Sequence, residues 1–266
     1  MAQPHRLPPF TPFLQRGRPI ARKLKHAVLF WERGFRTGTD NVGKDSRTGR
    51  LGFTAAGTSY QYNLTIDSGR VIDHASGSAE ITWSDIGSQW NTSRGMTYFV
   101  LLRPDATTQS GLVAFYRRKN TATTDTGWKL DFDGAAPSHY VGRVADGAST
   151  AVAISTTTAL TTRTDAVCVR ADPDRGFVSI WVNGVKEAQS ALAFAPGNPA
   201  LPLSMIQAAV AKFSVVAFWN RPLADAEIRS LYADPFQLWR QPRREFFMDI
   251  GKAVGSTYRN GLWLSM

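Results

Sequence analysis

The 266-residue sequence predicts an all-β protein, a sandwich or barrel of strands followed by one short helix near its C-terminal end. Three observations carry that prediction. Apolar segments of strand length recur about every ten residues with turn chemistry between them. Asn183-Gly184 is flanked by apolar runs, and a type I′ hairpin needs positive φ at both central positions. Finally, FSVVAFWNRPLADAEIRSLYADP, residues 213–235, reads as a strand, a corner, a helix of about two to three turns and a proline stop.

The elements follow in chain order. Residues 1–26 read as an arm. Pro4, Pro8, Pro9, Pro12 and Pro19 remove backbone donors and oppose regular helix. Arg16, Arg18, Arg22, Lys23 and Lys25 make the arm basic, and Phe10, Phe13 and Leu14 make it partly apolar, as in a segment that orders on another surface. LKHAVLFW (24–31) is the first strand, and GTDNVGKDSRTG (38–49) is a loop. SYQYNLTI (59–66) and SAEITW (78–83) alternate apolar and polar residues, the period of a half-buried strand. MTYFVLLR (96–103) and GLVAFYRR (111–118) are apolar on both faces, as central strands are. WKLDFD (128–133) alternates again, which places Trp128 in the core. SHYVGRV (138–144), TAVAIS (150–155), DAVCVRA (165–171) and FVSIWV (177–182, with Trp181 in the core) continue the pattern, and LPLSMIQ (201–207) and FSVVAFW (213–219) close it. In the helix, Ile228, Leu231 and Tyr232 share one side, which should dock at an open end of the sandwich. Ala224 stands where a capping side chain is wanted, so the cap is expected at Asp225.

The tail 236–266 is rich in large apolar groups, among them Phe236, Leu238, Trp239, Phe246, Phe247, Leu262, Trp263 and Leu264, with Arg243 and Arg244 between them. So apolar a segment must pack on the domain or on a neighbour.

Charge separates these regions. The net charge is +10. Residues 1–50 hold 11 Lys/Arg against 3 Asp/Glu, residues 236–266 hold 5 against 2, and residues 51–235 hold 15 against 16. A neutral body therefore carries basic ends. A nucleic-acid reader would place its charge on a structured face with interleaved aromatics, so nucleic acid is not the expected partner. An acidic protein lattice suits basic, apolar-studded ends better. No apolar run is long enough for a membrane helix, and the N-terminus does not read as a secretory signal, which makes synthesis in a cytoplasm the expectation. The one cysteine, Cys168, lies inside a strand pattern and reads as a small buried hydrophobe.

Catalytic chemistry has little support. Retaining glycosidases set two carboxyls about 5 Å apart. Glu80 and Asp85 are five residues apart and point to opposite faces of a regular strand, whereas Asp131 and Asp133 share a face but lack a glutamate partner. No Gly-x-Ser-x-Gly, P-loop or metal-spaced histidine cluster occurs. No cofactor is expected. Calcium is the one metal considered, with Asp146, Asp165, Asp172 and Asp174 as loop carboxylates that serve local backbone more often than cations. Trp90, in the polar loop SQWNTSRG, is the candidate glycan platform.

The closing segment FSVVAFWNRPLADAEIRSLYADP resembles that of laminin-G-like, concanavalin A-like jelly-roll domains. GMTYFVLLRP resembles their central strand, and VSIWVNGVKEA resembles their hairpin. The resemblance spans residues 27–235. It implies a two-sheet antiparallel jelly-roll sandwich with one short C-terminal helix, flanked here by extended arms at 1–26 and 236–266. The basic Pro-rich ends and the run YADPFQLWRQPRR look most similar to bacteriophage virion proteins. That likeness implies a non-enzymatic capsid-decoration or other particle-surface protein. Its partners would be the major capsid protein or a tail protein, with a homo-oligomer and surface glycans as further partners. The assembly contacts would be Phe10, Phe13, Arg16, Arg18, Arg22, Lys23, Lys25, Trp239, Arg243, Arg244, Phe246, Phe247 and Trp263. The alternative reading is a lectin-like adhesion module, and the remote one is a glycoside hydrolase.

Overall fold

The structure is a computed structural model, which describes residues 14, 16–30, 42–44, 47, 51–54, 61–65, 69–74, 81–83, 92–114, 126–197, 203–205 and 211–239. Among these, sixteen strands occur in the order β1 (Leu24–Leu29), β2 (Val42–Lys44), β3 (Leu51–Thr54), β4 (Gln61–Thr65), β5 (Gly69–His74), β6 (Ile81–Trp83), β7 (Met96–Pro104), β8 (Ser110–Ala114), β9 (Gly127–Asp133), β10 (His139–Ala145), β11 (Thr150–Ala159), β12 (Asp165–Asp172), β13 (Phe177–Val182), β14 (Val185–Ala191), β15 (Leu203–Met205) and β16 (Ala211–Trp219). A 3-10 turn at Pro19–Ala21 precedes them, and the helix α1 (Asp225–Ala233) follows. The segment 38–49, read as a loop, contains the short strand β2, which pairs with β3.

Every pairing among the described strands is antiparallel. One layer has the order β14-β13-β12-β7-β16-β5-β4, and β1 pairs with the C-terminal half of β16 beside β5. The other layer is two four-stranded sheets, β11-β10-β9-β8 and β15-β6-β3-β2, with β15 lying near β8. The predicted all-β sandwich is the observed one.

Between the layers lies an aromatic-rich core. Met96, Tyr98, Val100 and Leu102 of β7 point into it, as do Val167 and Val169 of β12 and Trp128, Leu130 and Phe132 of β9. The Trp128 ring stacks on Phe218 at 4.5 Å and on Tyr98 at 5.7 Å. Tight approach of the layers requires glycine at one point. A Cβ at Gly142 of β10 would stand 2.7 and 2.8 Å from the two γ-methyls of Val169 on the opposite layer. Gly142→Ala is expected to cost about 1–3 kcal/mol by overpacking. Urea unfolding checks it, and adding Val169→Ala should restore part of the loss.

The large sheet is also covered on its outer face, where a second cluster holds Phe99, Leu101, Cys168, Trp181, Val215, Ala217 and Trp219. This is why the central strands are apolar on both faces. Strict alternation would have sent Val215 inward. A register shift between Phe213 and Val215 flips the strand, so that Val216 and Phe218 face the inner core and Val215, Ala217 and Trp219 the outer one.

The cover consists of Ile228 and Leu231 of α1, Ile20 of the 3-10 turn, Leu24 of β1, and Phe236, Leu238 and Trp239 after the helix. The helix thus lies on the outer face of the large sheet rather than at an open end. Its Tyr232 sits at the rim, against Gly184 of the hairpin. Asn183 and Gly184 have φ of 52° and 80°, as the predicted type I′ turn requires.

Two charged contacts pin α1. Buried Arg170 on β12 donates to the Leu223 carbonyl at 2.9 Å and to the Asp225 carboxylate at 2.7 Å, and its guanidinium lies over the Phe177 and Trp181 rings. Arg221 forms a two-pronged pair with Glu227, both contacts at 2.6 Å. The N-cap is Ala224, not Asp225: its backbone is extended, and with no side-chain acceptor it relies on Glu227 accepting its N–H at 2.9 Å. The hydrogen bond from Arg170 holds the Asp225 carboxyl below the ordinary range, and that from Arg221 does the same for Glu227. Carboxyls depressed in the folded state stabilise it above their unfolded pKa, and the effect is lost as pH falls through the folded value. Each pair is partly exposed and contributes about 1 kcal/mol or less. Melting temperature is therefore expected to fall on acidification from pH 6 to pH 3, with a shallower slope in the Asp225→Asn/Glu227→Gln double variant.

Candidate functional site

The same stretch that covers the outer core builds an open basic groove. Three hydrogen bonds seat it. The Trp219 indole N–H donates to the Ile20 carbonyl at 2.6 Å, the Arg221 Nε to the Arg22 carbonyl at 3.0 Å, and the Asn220 N–H to the Lys23 carbonyl at 3.0 Å. Arg22 has φ −63° and ψ 129°, and Lys23 has φ 57°. The positive φ places Lys23 in the left-handed region, where turns favour glycine or asparagine. Lysine occupies it here.

Beside this turn is a groove of about 260 Å³ lined by Leu14, Arg16, Ala21, Lys23, Leu24, Lys25, Arg47 and Asn220. The Arg16 guanidinium donates to the Arg47 carbonyl at 3.1 Å, and the Arg47 Nε reaches the Leu24 carbonyl at 3.4 Å. Four cationic side chains thus surround one concavity, and no described acidic residue lines it. Its floor is partly apolar, from Leu14, Ala21 and Leu24.

The structure brings Arg16, Lys23 and Lys25 of the expected contact residues together. Arg18 lines a separate groove with Pro19, Ile20, Ala226, Glu227, Ser230 and Gln237. Arg22 is exposed. Trp239 is a correction. It is 3% exposed and packs into the outer core of its own domain, because the turns after Pro235 fold back on the sheet, so it offers a partner no surface. Residues 16–26, read as arm, are likewise docked, with Leu24 already paired to Trp219. Phe10, Phe13, Arg243, Arg244, Phe246, Phe247, Trp263, Trp90, Glu80 and Asp85 lie outside the described residues. Sequence reasoning missed Arg47 and Asn220. Arg47 is 31 residues from Arg16, and only the fold makes them neighbours.

No family profile matches this chain, and no curated protein sequence matches it. Solved structures do. The binding domain of botulinum neurotoxin serotype G aligns over 79% of this chain and 50% of its own length, at 14% identity and a TM-score of 0.58. Domain 4 of AbnA, a GH43 extracellular arabinanase from Geobacillus stearothermophilus solved in complex with arabinotriose, aligns over 79% of this chain and 98% of its own, at 10% identity and 0.58. The Trypanosoma rangeli sialidase, solved with the inhibitor DANA, aligns over 81% and 33%, at 10% identity and 0.55. The chain has their β-sandwich fold. It spans about half the length of the neurotoxin binding domain.

The described carboxylates that sequence reasoning considered for catalysis or calcium are almost all committed. Asp131 is buried and accepts from Lys129 Nζ at 2.9 Å and Arg143 Nε at 2.8 Å. Burial pushes the Asp133 carboxyl up, but N–H groups of His139 and Ala135 and the His139 ring more than offset this and hold it low. Asp146 accepts two turn amides, from Ala148 and Ser149, which lower its pKa. Asp165 accepts from the Tyr140 hydroxyl at 2.9 Å and the Asn183 amide at 2.8 Å, and desolvation raises its pKa. Asp172 accepts from the Arg175 N–H, and Asp174 is exposed in the same turn. Among the described residues no three metal-binding side chains converge. Burial pushes the Cys168 thiol up, which leaves it protonated and unreactive.

Proposed function

We propose that this chain is a non-catalytic binding module that recognises carbohydrate, the reading held second on sequence grounds. The observation that carries it is the open cationic groove on a sandwich whose described candidate carboxylates, Asp131 and Asp133, are tied into ion pairs and turns. The fold likeness supports it: the similar structures include binding domains and an arabinanase domain solved with a bound oligosaccharide. A glycosidase role has less support, since Asp131 is neutralised by two cations and Asp133 by its turn.

A virion-surface location, with capsid or tail protein as partner, rests on the basic ends, the aromatic C-terminal tail and their sequence likeness to bacteriophage virion proteins. The described parts of those ends, 16–26 and 236–239, are engaged with their own domain.

The test is a glycan array probed with the full chain. Saturable binding to a subset of glycans, with no product released on prolonged incubation, supports the reading. Failure to bind any glycan, charged or neutral, removes it.

A further inference from the structure

We infer that the groove beneath the Arg22-Lys23 turn is a site for an anionic sugar unit, one bearing a carboxylate or a sulfate. The inference rests on the binding-module reading and names its ligand class. Arg16, Lys23, Lys25 and Arg47 converge on one concavity that no described carboxylate lines. Cationic side chains gathered around one concavity raise the local concentration of anions.

The second observation is backbone strain. Lys23 holds φ 57°, in a turn position that glycine fills without penalty. Non-glycine residues in the left-handed region concentrate at ligand sites, where the side chain has a use that the backbone alone does not. Here the strained residue supplies one of the four cations, and its carbonyl is clamped by the Asn220 N–H. The turn therefore fixes the backbone from which the Lys23 side chain reaches the groove.

Size and lining narrow the ligand. About 260 Å³ is below the roughly 300–1,000 Å³ of sites that enclose drug-sized ligands, and suits one ring with its charged substituent. The apolar floor of Leu14, Ala21 and Leu24 suits the C–H face of a sugar ring, while guanidinium groups favour planar, two-oxygen acceptors such as carboxylate.

The experiment is calorimetric titration of the full chain with a heparin-derived hexasaccharide, a maltohexaose of equal length, and a single-stranded DNA oligonucleotide of matched charge. Variants are Lys23→Gly, Lys25→Gln and, as a charge-matched control, Arg163→Gln in the exposed turn after β11. Lys23→Gly relieves the turn, so its melting temperature should equal or exceed that of the parent. The expected result is hexasaccharide binding weakened at least tenfold by Lys23→Gly and by Lys25→Gln and less than twofold by Arg163→Gln. Three results overturn the inference: no hexasaccharide binding, equal losses in all three variants, or DNA binding as tight as hexasaccharide. If maltohexaose binds where the hexasaccharide does not, the first of these results is met and the inference fails, while the carbohydrate-binding reading stands.

Discussion

A chain cut to residues 27–235 is expected to lose its cooperative unfolding transition. Those limits follow from the sequence pattern, yet they cut through the outer core. They remove Phe236, Leu238 and Trp239 at one end and Ile20 and Leu24 at the other, each 6% exposed or less. Burying a large apolar side chain contributes about 1.5–3 kcal/mol. Three such losses at the C-terminal end alone come to about 4.5–9 kcal/mol, the scale of a domain's whole stability of about 5–15 kcal/mol. The truncation also bares part of the outer face of β7, β12 and β16, an apolar patch that invites aggregation. Thermal unfolding by circular dichroism, with binding of an apolar dye at 25 °C, checks it. A 27–235 piece melting within a few degrees of the full chain would show that the outer cover is dispensable.

Trp219→Ala should be the most damaging single change near the site. The indole is fully buried in the outer cluster, and its N–H holds the Ile20 carbonyl. Large-to-small substitutions of buried tryptophan cost about 3–5 kcal/mol. In a chain of this size that lowers the melting temperature by on the order of 10 °C. Trp219→Phe separates the two contributions. It keeps most of the apolar volume but leaves the Ile20 carbonyl without its donor, for about 1–3 kcal/mol. Since that carbonyl anchors the turn that carries Lys23, Trp219→Phe should also weaken ligand binding at the groove while the rest of the fold persists. If the phenylalanine variant is as destabilised as the alanine variant, the hydrogen bond rather than the ring volume dominates.

These effects sit where sequence and structure part company. Strand positions were legible because alternation and turn chemistry are local. Asn183-Gly184 demanded positive φ, and the structure has it. Trp128 and Trp181 were placed in the core by alternation and are buried. Which core each entered was not legible: Trp128 lies between the layers and Trp181 on the outer face. The bulge near Ser214 was equally hidden, since one extra residue reverses the facing of β16 without changing its composition. The cations Arg16, Lys23 and Lys25 were picked out as a basic run, but as an arm rather than as a wall of a groove. Arg47 and Asn220 complete that wall from distant parts of the chain, and the left-handed backbone at Lys23 has no sequence signature, because lysine is not a residue that announces it.

Local chemistry alone settled the class of this protein: strand periods, a tight hairpin, a short amphipathic helix and a neutral middle between cationic ends. Tertiary contacts decided that the described parts of the ends cover the outer face and line the basic groove. The reason is that a wide sheet with two greasy faces must shield both. The nearest chain available to shield the second was the helix with the segments flanking the domain, and their cations were left gathered at its rim.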